Sequence, residues 1–177
     1  MKQLFQRFHY YIFYTVYGIV KYLPTPFGDI ARFLVLRVFF AEIRTHVIHE
    51  GVTFRDVWRV KVGKNSEIMD YVFFSGHGSI TIGDNVLIGR NTAFYSLEHA
   101  FDDLNTLICK QPVVPKPIVV HDNVYIGTNV VVLGGSIINT GAVIGASSVV
   151  KGVIPEDAIV AGVPGKILKY RTDSTRI

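Results

Sequence analysis

The sequence predicts a mainly β protein, a parallel β-helix of about five triangular coils with an N-terminal helical segment and one projecting loop. Three observations predict it. Aliphatic or aromatic residues recur every six positions from Ile48 onward, small or β-branched side chains fill the position four residues further on, and the longest break in the spacing falls across residues 97–117. A period of six belongs neither to a helix nor to a simple strand. It fits a short strand plus a tight turn, three of which close one coil.

The chain divides into an N-terminal amphipathic helical segment (1–45), a repeat domain (46–160) and a C-terminal basic tail (161–177). Two helices are expected at about 3–22 and 28–42, broken by Pro24-Thr-Pro26. The first carries the aromatic run "FHYYIFYTVYGIVKYLPTPFG". Its apolar stretch from Phe8 to Val20 is interrupted by His9 and stops at Lys21, short of the ~20 residues a spanning helix needs. A small-residue cleavage site of the signal-peptide kind is missing. Residues 1–60 hold eight basic and four acidic side chains, whereas 61–177 hold ten of each, so the whole net charge of +4 lies in the first third. That distribution is too sparse for a nucleic-acid stripe. An aromatic face under such a charge fits either packing on the repeat domain or peripheral contact with an anionic membrane.

In the repeat domain the rows are Ile48, Phe54, Val60; Val62, Ile68, Phe74; Ile82, Ile88, Phe94; Val120, Ile126, Val132; and Ile138, Ile144, Val150. Ser66, Val72, Val86, Thr92, Val124, Val130, Ser136, Ala142 and Ser148 fill the second position. One coil cannot bury its inward row, so stability must come from stacking, with Ile82, Val120 and Ile138 in one internal ladder. A short insertion is expected at "SGHGSI", and "LNTLICKQPVVPKP" must leave the prism because proline cannot continue a ladder. Trp58 stands where a small residue is expected, at the end the helices would cover. The 49% hydrophobic and 18% charged composition describes a folded chain, and the single Cys109 has no disulfide or metal partner, which fits a reducing cytoplasm.

The repeat, the loop and the ending "VVKGVIPEDAIVAGVPGKILKYR" resemble the hexapeptide-repeat acyltransferases, nearest to the sugar and polysaccharide O-acetyltransferases of the galactoside, maltose and colanic-acid type. The resemblance covers roughly 130 residues. It implies a left-handed β-helix, a hand that strand-crossover physics alone would not give. It also implies an acetyl-CoA co-substrate, no metal, and a homotrimer of parallel prisms in which loop 97–117 reaches a neighbouring subunit.

"TIGDNVLIGRNTAFYSLEHAFDD" matches the segment that ends in the family's catalytic histidine, which falls on His99. Imidazole suits the task, since transfer from a thioester to a hydroxyl needs a base at neutral pH. Glu98, Asp102 or Asp103 would orient it. Ser75 and His77 of "FFSGHGS", with Asn85, Glu98 and Asp102, are candidates for binding the acceptor. For coenzyme A the resemblance points to Thr128 and Ala146 along the pantetheine arm, with Tyr125 and Ser148 nearby, and to Lys151, Lys166 and Lys169 for phosphate contacts. Lys151-Gly152 stands where the family often has Thr-Lys, a departure that shifts or removes one such contact. The γ-type carbonic anhydrases share the fold but use three zinc-binding histidines, two close in sequence; His77, His99 and His121 lie 22 apart each time. The expected activity is O-acetylation of a sugar hydroxyl in a surface polysaccharide or its precursor. N-acetylation of a nucleotide-linked amino sugar is the alternative, and a non-catalytic scaffold the third.

Overall fold

The computed structural model describes residues 2–39 and 42–173, with side chains from Tyr10 onward except Phe39. Helix α1 (Lys2–Val20) and helix α2 (Phe27–Phe39) flank the proline turn. Asp29 in the first turn of α2 and Arg37 in its last complement the helix dipole. The expected extension of α2 to about 42 is not made, because Ile43 already bridges to Val62 of the β-helix; Phe40 and Ala41 lie outside the described residues.

The helices cover the start of the first coil. The aromatic face of α1 turns inward: Phe13 and Tyr17 are buried and stacked at 5.2 Å, Tyr17 donates its hydroxyl to the Val52 carbonyl at 3.0 Å, and Tyr14 donates to Phe54 at 2.8 Å. Arg32 of α2 is fully buried, yet its guanidinium has partners throughout: the carbonyls of Ile48 (2.7 Å) and Leu23 (2.7 Å), and the Asp29 carboxylate. A buried cation is tolerated only on such terms. The outer face of α2 is different. Phe27 (81% exposed), Ile30, Leu34 and Val38 (78%) lie bare along one side.

From Val47 the chain winds as a parallel β-helix of five complete coils and the start of a sixth. The first face stacks strands 47–48, 67–68, 87–88, 125–126, 143–144 and 158–161, the second 53–55, 73–75, 93–95, 131–133 and 149–150, and the third 60–62, 80–82, 118–120, 137–138 and 153–154. All neighbours within a face are parallel and in register, with Val120 between Ile82 and Ile138 as the repeat requires. Every inward residue of the predicted rows is buried, each contributing roughly 1.5–3 kcal/mol by leaving water. Phe54, Phe74 and Phe94 stack face to face at 5.0 and 4.9 Å, with Val132 and Val150 continuing their row.

Two corners of the prism are built on left-handed backbone. Asn65, Asn85 and Asn123 turn the chain from third face to first, Asn91 and Asn129 from first to second, all at φ between 55° and 58°; asparagine is the side chain that best tolerates that conformation. The corner between second and third faces is irregular. In the first coil it is a 3₁₀ turn, Val57–Arg59, which buries Val57 and corrects the placement of Trp58: the indole swings outward, 46% exposed, against the ring of Tyr10 at 5.8 Å. At the C-terminal end, residues 166–170 add an antiparallel strand to the first face beside 158–161, so this part of the basic tail belongs to the sheet.

Candidate active site

The third coil leaves the prism at the irregular corner. Ser96, buried at the exit, donates its hydroxyl to the Ser75 carbonyl at 2.6 Å and receives the Gly78 N–H at 2.9 Å. Its own carbonyl takes the N–H of Lys116 at 2.8 Å, where the chain returns. Between those points residues 97–99 pair antiparallel with 113–115, His99 opposite Val113 and Glu98 opposite Val114. The projecting segment therefore stands on a two-stranded stem and carries its irregular part, 100–112, beyond it. Gln111, nearly buried, folds that part by donating to the carbonyls of Asp103 (2.8 Å) and Thr106 (2.9 Å). Its tip is apolar and bare: Phe101, Leu104, Leu107 and Ile108 are exposed, Leu104 at 95%, around a shallow hollow of about 550 Å³.

His99 is exposed at the end of the first stem strand. Two of the acidic residues expected to orient it, Glu98 and Asp103, have other partners. Glu98 binds Lys116 Nζ through one oxygen at 2.5 Å and Lys151 Nζ through the other at 2.8 Å. These hydrogen bonds, Lys116 first, hold its carboxyl below the ordinary carboxylate range. Asp103 is likewise held low, chiefly by the Thr106 side chain and then by the Asn105 N–H. Asp102 is exposed on the loop.

His77 sits in the 3₁₀ turn Gly76–Gly78 one coil below, with Nδ1 3.5 Å from Asp56 and its carbonyl held by Arg59. The flanking glycines are required: a Cβ at Gly78 would lie 1.9 Å from the Ser96 carbonyl and 2.6 Å from Lys116 N. That packing puts the His77 turn directly against the stem that bears His99. Ser75, almost buried, ends the second-face strand beneath Tyr95. Asn85 lies elsewhere, at the corner between third and first faces, where its backbone makes the turn and its side chain accepts from Asn65 at 3.3 Å.

The residues expected to meet coenzyme A lie mostly along the corner between first and second faces. Tyr125 and Thr128, with Arg90, Leu87 and Met69, line a groove of about 250 Å³. Ala146 is exposed one coil above Thr128, whose carbonyl accepts the Ser147 N–H at 2.9 Å. Lys166 follows opposite Ala161. Ser148 is corrected: it is fully buried, donating to the Gly145 carbonyl (2.7 Å) and accepting from Gly162 N–H (3.1 Å), so it braces the corner from inside. Lys151 belongs to the other corner, with Glu98. Lys169 pairs in register with Ile159 on the added strand. Sequence reasoning missed Lys116 and Arg90. Neither carries a motif, and only the stacking of coils places them. Among the described residues no group of three or more His, Cys, Asp or Glu side chains is placed to hold a metal, and no helix is long and apolar enough to cross a membrane.

The repeats match the bacterial transferase hexapeptide model over residues 117–152. A protein of Escherichia coli strain K12 named for O-acetyl transfer in lipopolysaccharide biosynthesis is 34% identical over 64% of this chain and 61% of its own length. A hexapeptide-repeat acetyltransferase of Vibrio cholerae, solved in complex with acetyl coenzyme A, superposes with a TM-score of 0.77 at 29% identity, over 92% of this chain and 88% of that one. A galactoside acetyltransferase solved with coenzyme A gives 0.77 at 25%, over 89% and 78%. Repeat and fold together point to a class: the chain carries the bacterial transferase hexapeptide repeat on a parallel β-helix and is similar to O-acetyltransferases and hexapeptide-repeat acetyltransferases. It spans less than two thirds of the length of the first curated relatives it matches, 61% and 39%.

Proposed function

We propose that the protein is an acetyl-CoA-dependent O-acetyltransferase acting on a sugar hydroxyl of a surface polysaccharide or its precursor, with His99 as general base. The observation that carries this reading is the position of His99. It stands at the foot of the one long excursion from a scaffold whose relatives include O-acetyltransferases and a structure holding acetyl coenzyme A. The imidazole would take the acceptor's proton as its oxygen attacks the thioester carbonyl; the intermediate would collapse by expelling the thiolate, which recovers the proton from the imidazolium. The groove of Tyr125, Thr128 and Arg90, with the exposed Lys166 above it, fits a pantetheine arm ending in phosphates.

Within one protomer His99 and that groove stand at different corners, separated by the second face, about 10 Å of strand. This supports a homotrimer whose sites form between subunits, the apolar loop tip of one protomer resting on its neighbour. Light scattering on the micromolar protein should give three times the chain mass; a monomer would contradict the shared site.

The test of function is a screen of sugar and amino-sugar acceptors with acetyl-CoA, read by mass spectrometry. A hydroxyl acceptor is expected; an amine acceptor would move the protein to the N-acetyltransferases, and no product under any condition would favour a scaffold. His99→Ala should lower turnover at least ~10²-fold while coenzyme A binding survives. If turnover persisted, His77 would be the next candidate.

The bare strip Phe27, Ile30, Leu34 and Val38, on the most basic third of the chain, supports peripheral contact with an anionic membrane by α2. The aromatic face of α1 is already occupied. Salt-sensitive flotation with phosphatidylserine liposomes, lost in Phe27→Glu/Val38→Glu, is the expected result; no flotation of the intact chain would remove the membrane reading.

A further inference from the structure

Successive side chains of a strand point to opposite sides. In the stem strand Leu97–His99, the Glu98 carboxylate reaches back to the prism, so its neighbour His99 is presented on the other side. What fixes that choice is the carboxylate itself. Each oxygen is taken by a different lysine, one beside the return of the stem and one 53 residues on, at the corner after the last second-face strand. Lys116 is itself wedged in place, since a Cβ at Gly134 would lie 2.7 Å from its Cβ and its N–H binds Ser96. The His77 turn packs on the stem from the coil below, and Glu98 bolts the stem to the coils above it.

We propose that Glu98 is a positioning residue for transfer, holding the stem at the tilt that aims the His99 imidazole, and acting only through Lys116 and Lys151. The proposal rests on His99 being the base. Such exposed ion pairs add little to overall stability, whereas a displacement of about 1 Å at a reacting group is enough to cost up to ~10² in rate. The consequence is a separation of effects. Glu98 stays ionised far below the pH at which an imidazole titrates, because its pKa is lowered.

The experiment measures release of coenzyme A thiol from acetyl-CoA, with the best acceptor of the screen or with water, in wild type, Glu98→Gln, Lys116→Ala/Lys151→Ala and the triple variant. Glu98→Gln should lose about 10-fold in kcat, with KM for acetyl-CoA within about twofold, the apparent pKa of the rate profile unmoved and the melting temperature within about 2 °C. The double lysine variant should lose the same factor, and the triple variant no more, since one bolt is broken in each. Wild-type kcat in Glu98→Gln would overturn the proposal. So would a fall in the apparent pKa, the sign of a carboxylate that tunes the imidazole's charge, or a fall in melting temperature with kcat intact. The His99 reading fails separately, if His99→Ala turns over normally whatever Glu98 does.

Discussion

Two corners of the prism keep one length through every coil, and the third never settles. From Ile48 to Phe54, and likewise up the stack to Ile144 and Val150, the step from first face to second is six residues; from Val62 to Ile68 and on to Ile154 and Val160, the step from third to first is also six. The step from second to third runs eight from Phe54 to Val62, eight from Phe74 to Ile82, twenty-six from Phe94 to Val120, six from Val132 to Ile138 and four from Val150 to Ile154. His77, His99, Glu98, Lys116 and Lys151 all sit on that variable corner. A turn that leaves the ladder registers above and below it intact is free to grow, and growth is what puts polar side chains off the scaffold.

The largest expected effect comes from giving a constant corner the freedom of the variable one. One glycine inserted after Thr128 would slip strand 131–133 by a residue and turn Val132 outward, so every contact of that face above it is lost. No cooperative melting transition is expected, by calorimetry or circular dichroism. Two glycines inserted after Leu104, by contrast, should lower stability by less than about 1 kcal/mol, because lengthening a loop costs only logarithmically. A folded Thr128 insertion would break the distinction between the corners.

A smaller effect locates the origin of the constancy. Asn123 is exposed and sits at φ 57°. Asn123→Ala should cost about 1 kcal/mol in urea unfolding, the strain of a Cβ in left-handed backbone, while Asn123→Gly should stay within a few tenths. Equal costs for both would mean that the asparagine side chain, and not its backbone, holds the corner.

The same contrast explains what could be read before the fold was seen. The inward rows follow from a period that permits only one arrangement, so Ile82, Val120 and Ile138 could be stacked from their spacing alone. His99 could be found because it closes a recognisable segment where the period stops. The burial of Val57 in place of Trp58 could not, because a corner two residues longer moves the inward position, and nothing local announces the extra turn. The grip of Lys116 and Lys151 on Glu98 was equally out of reach: it joins residues 18 and 53 positions apart, and depends on which coils lie over the stem. Ser148 was read both as a small residue at the repeat's second position and as a ligand contact, and its full burial with two hydrogen bonds fits the former.

The smallest expected effect concerns the far end of the variable corner. Cys109 is exposed in the 3₁₀ turn Ile108–Lys110, beyond the stem and ten positions past His99. If transfer is direct, the loop's chemistry lies at its foot and its tip serves only as an apolar contact surface. Cys109→Ser should then change stability by no more than about 0.5 kcal/mol and leave turnover within about twofold, since a serine keeps the shape and direct transfer uses no thiol. Intact-mass spectrometry after brief incubation with acetyl-CoA supplies the sharper reading. An added acetyl group mapped to Cys109, discharged on adding acceptor, would make the tip the nucleophile and reduce His99 to its activator. The wild-type mass unchanged, with full turnover in the serine variant, leaves His99 to act on the acceptor itself.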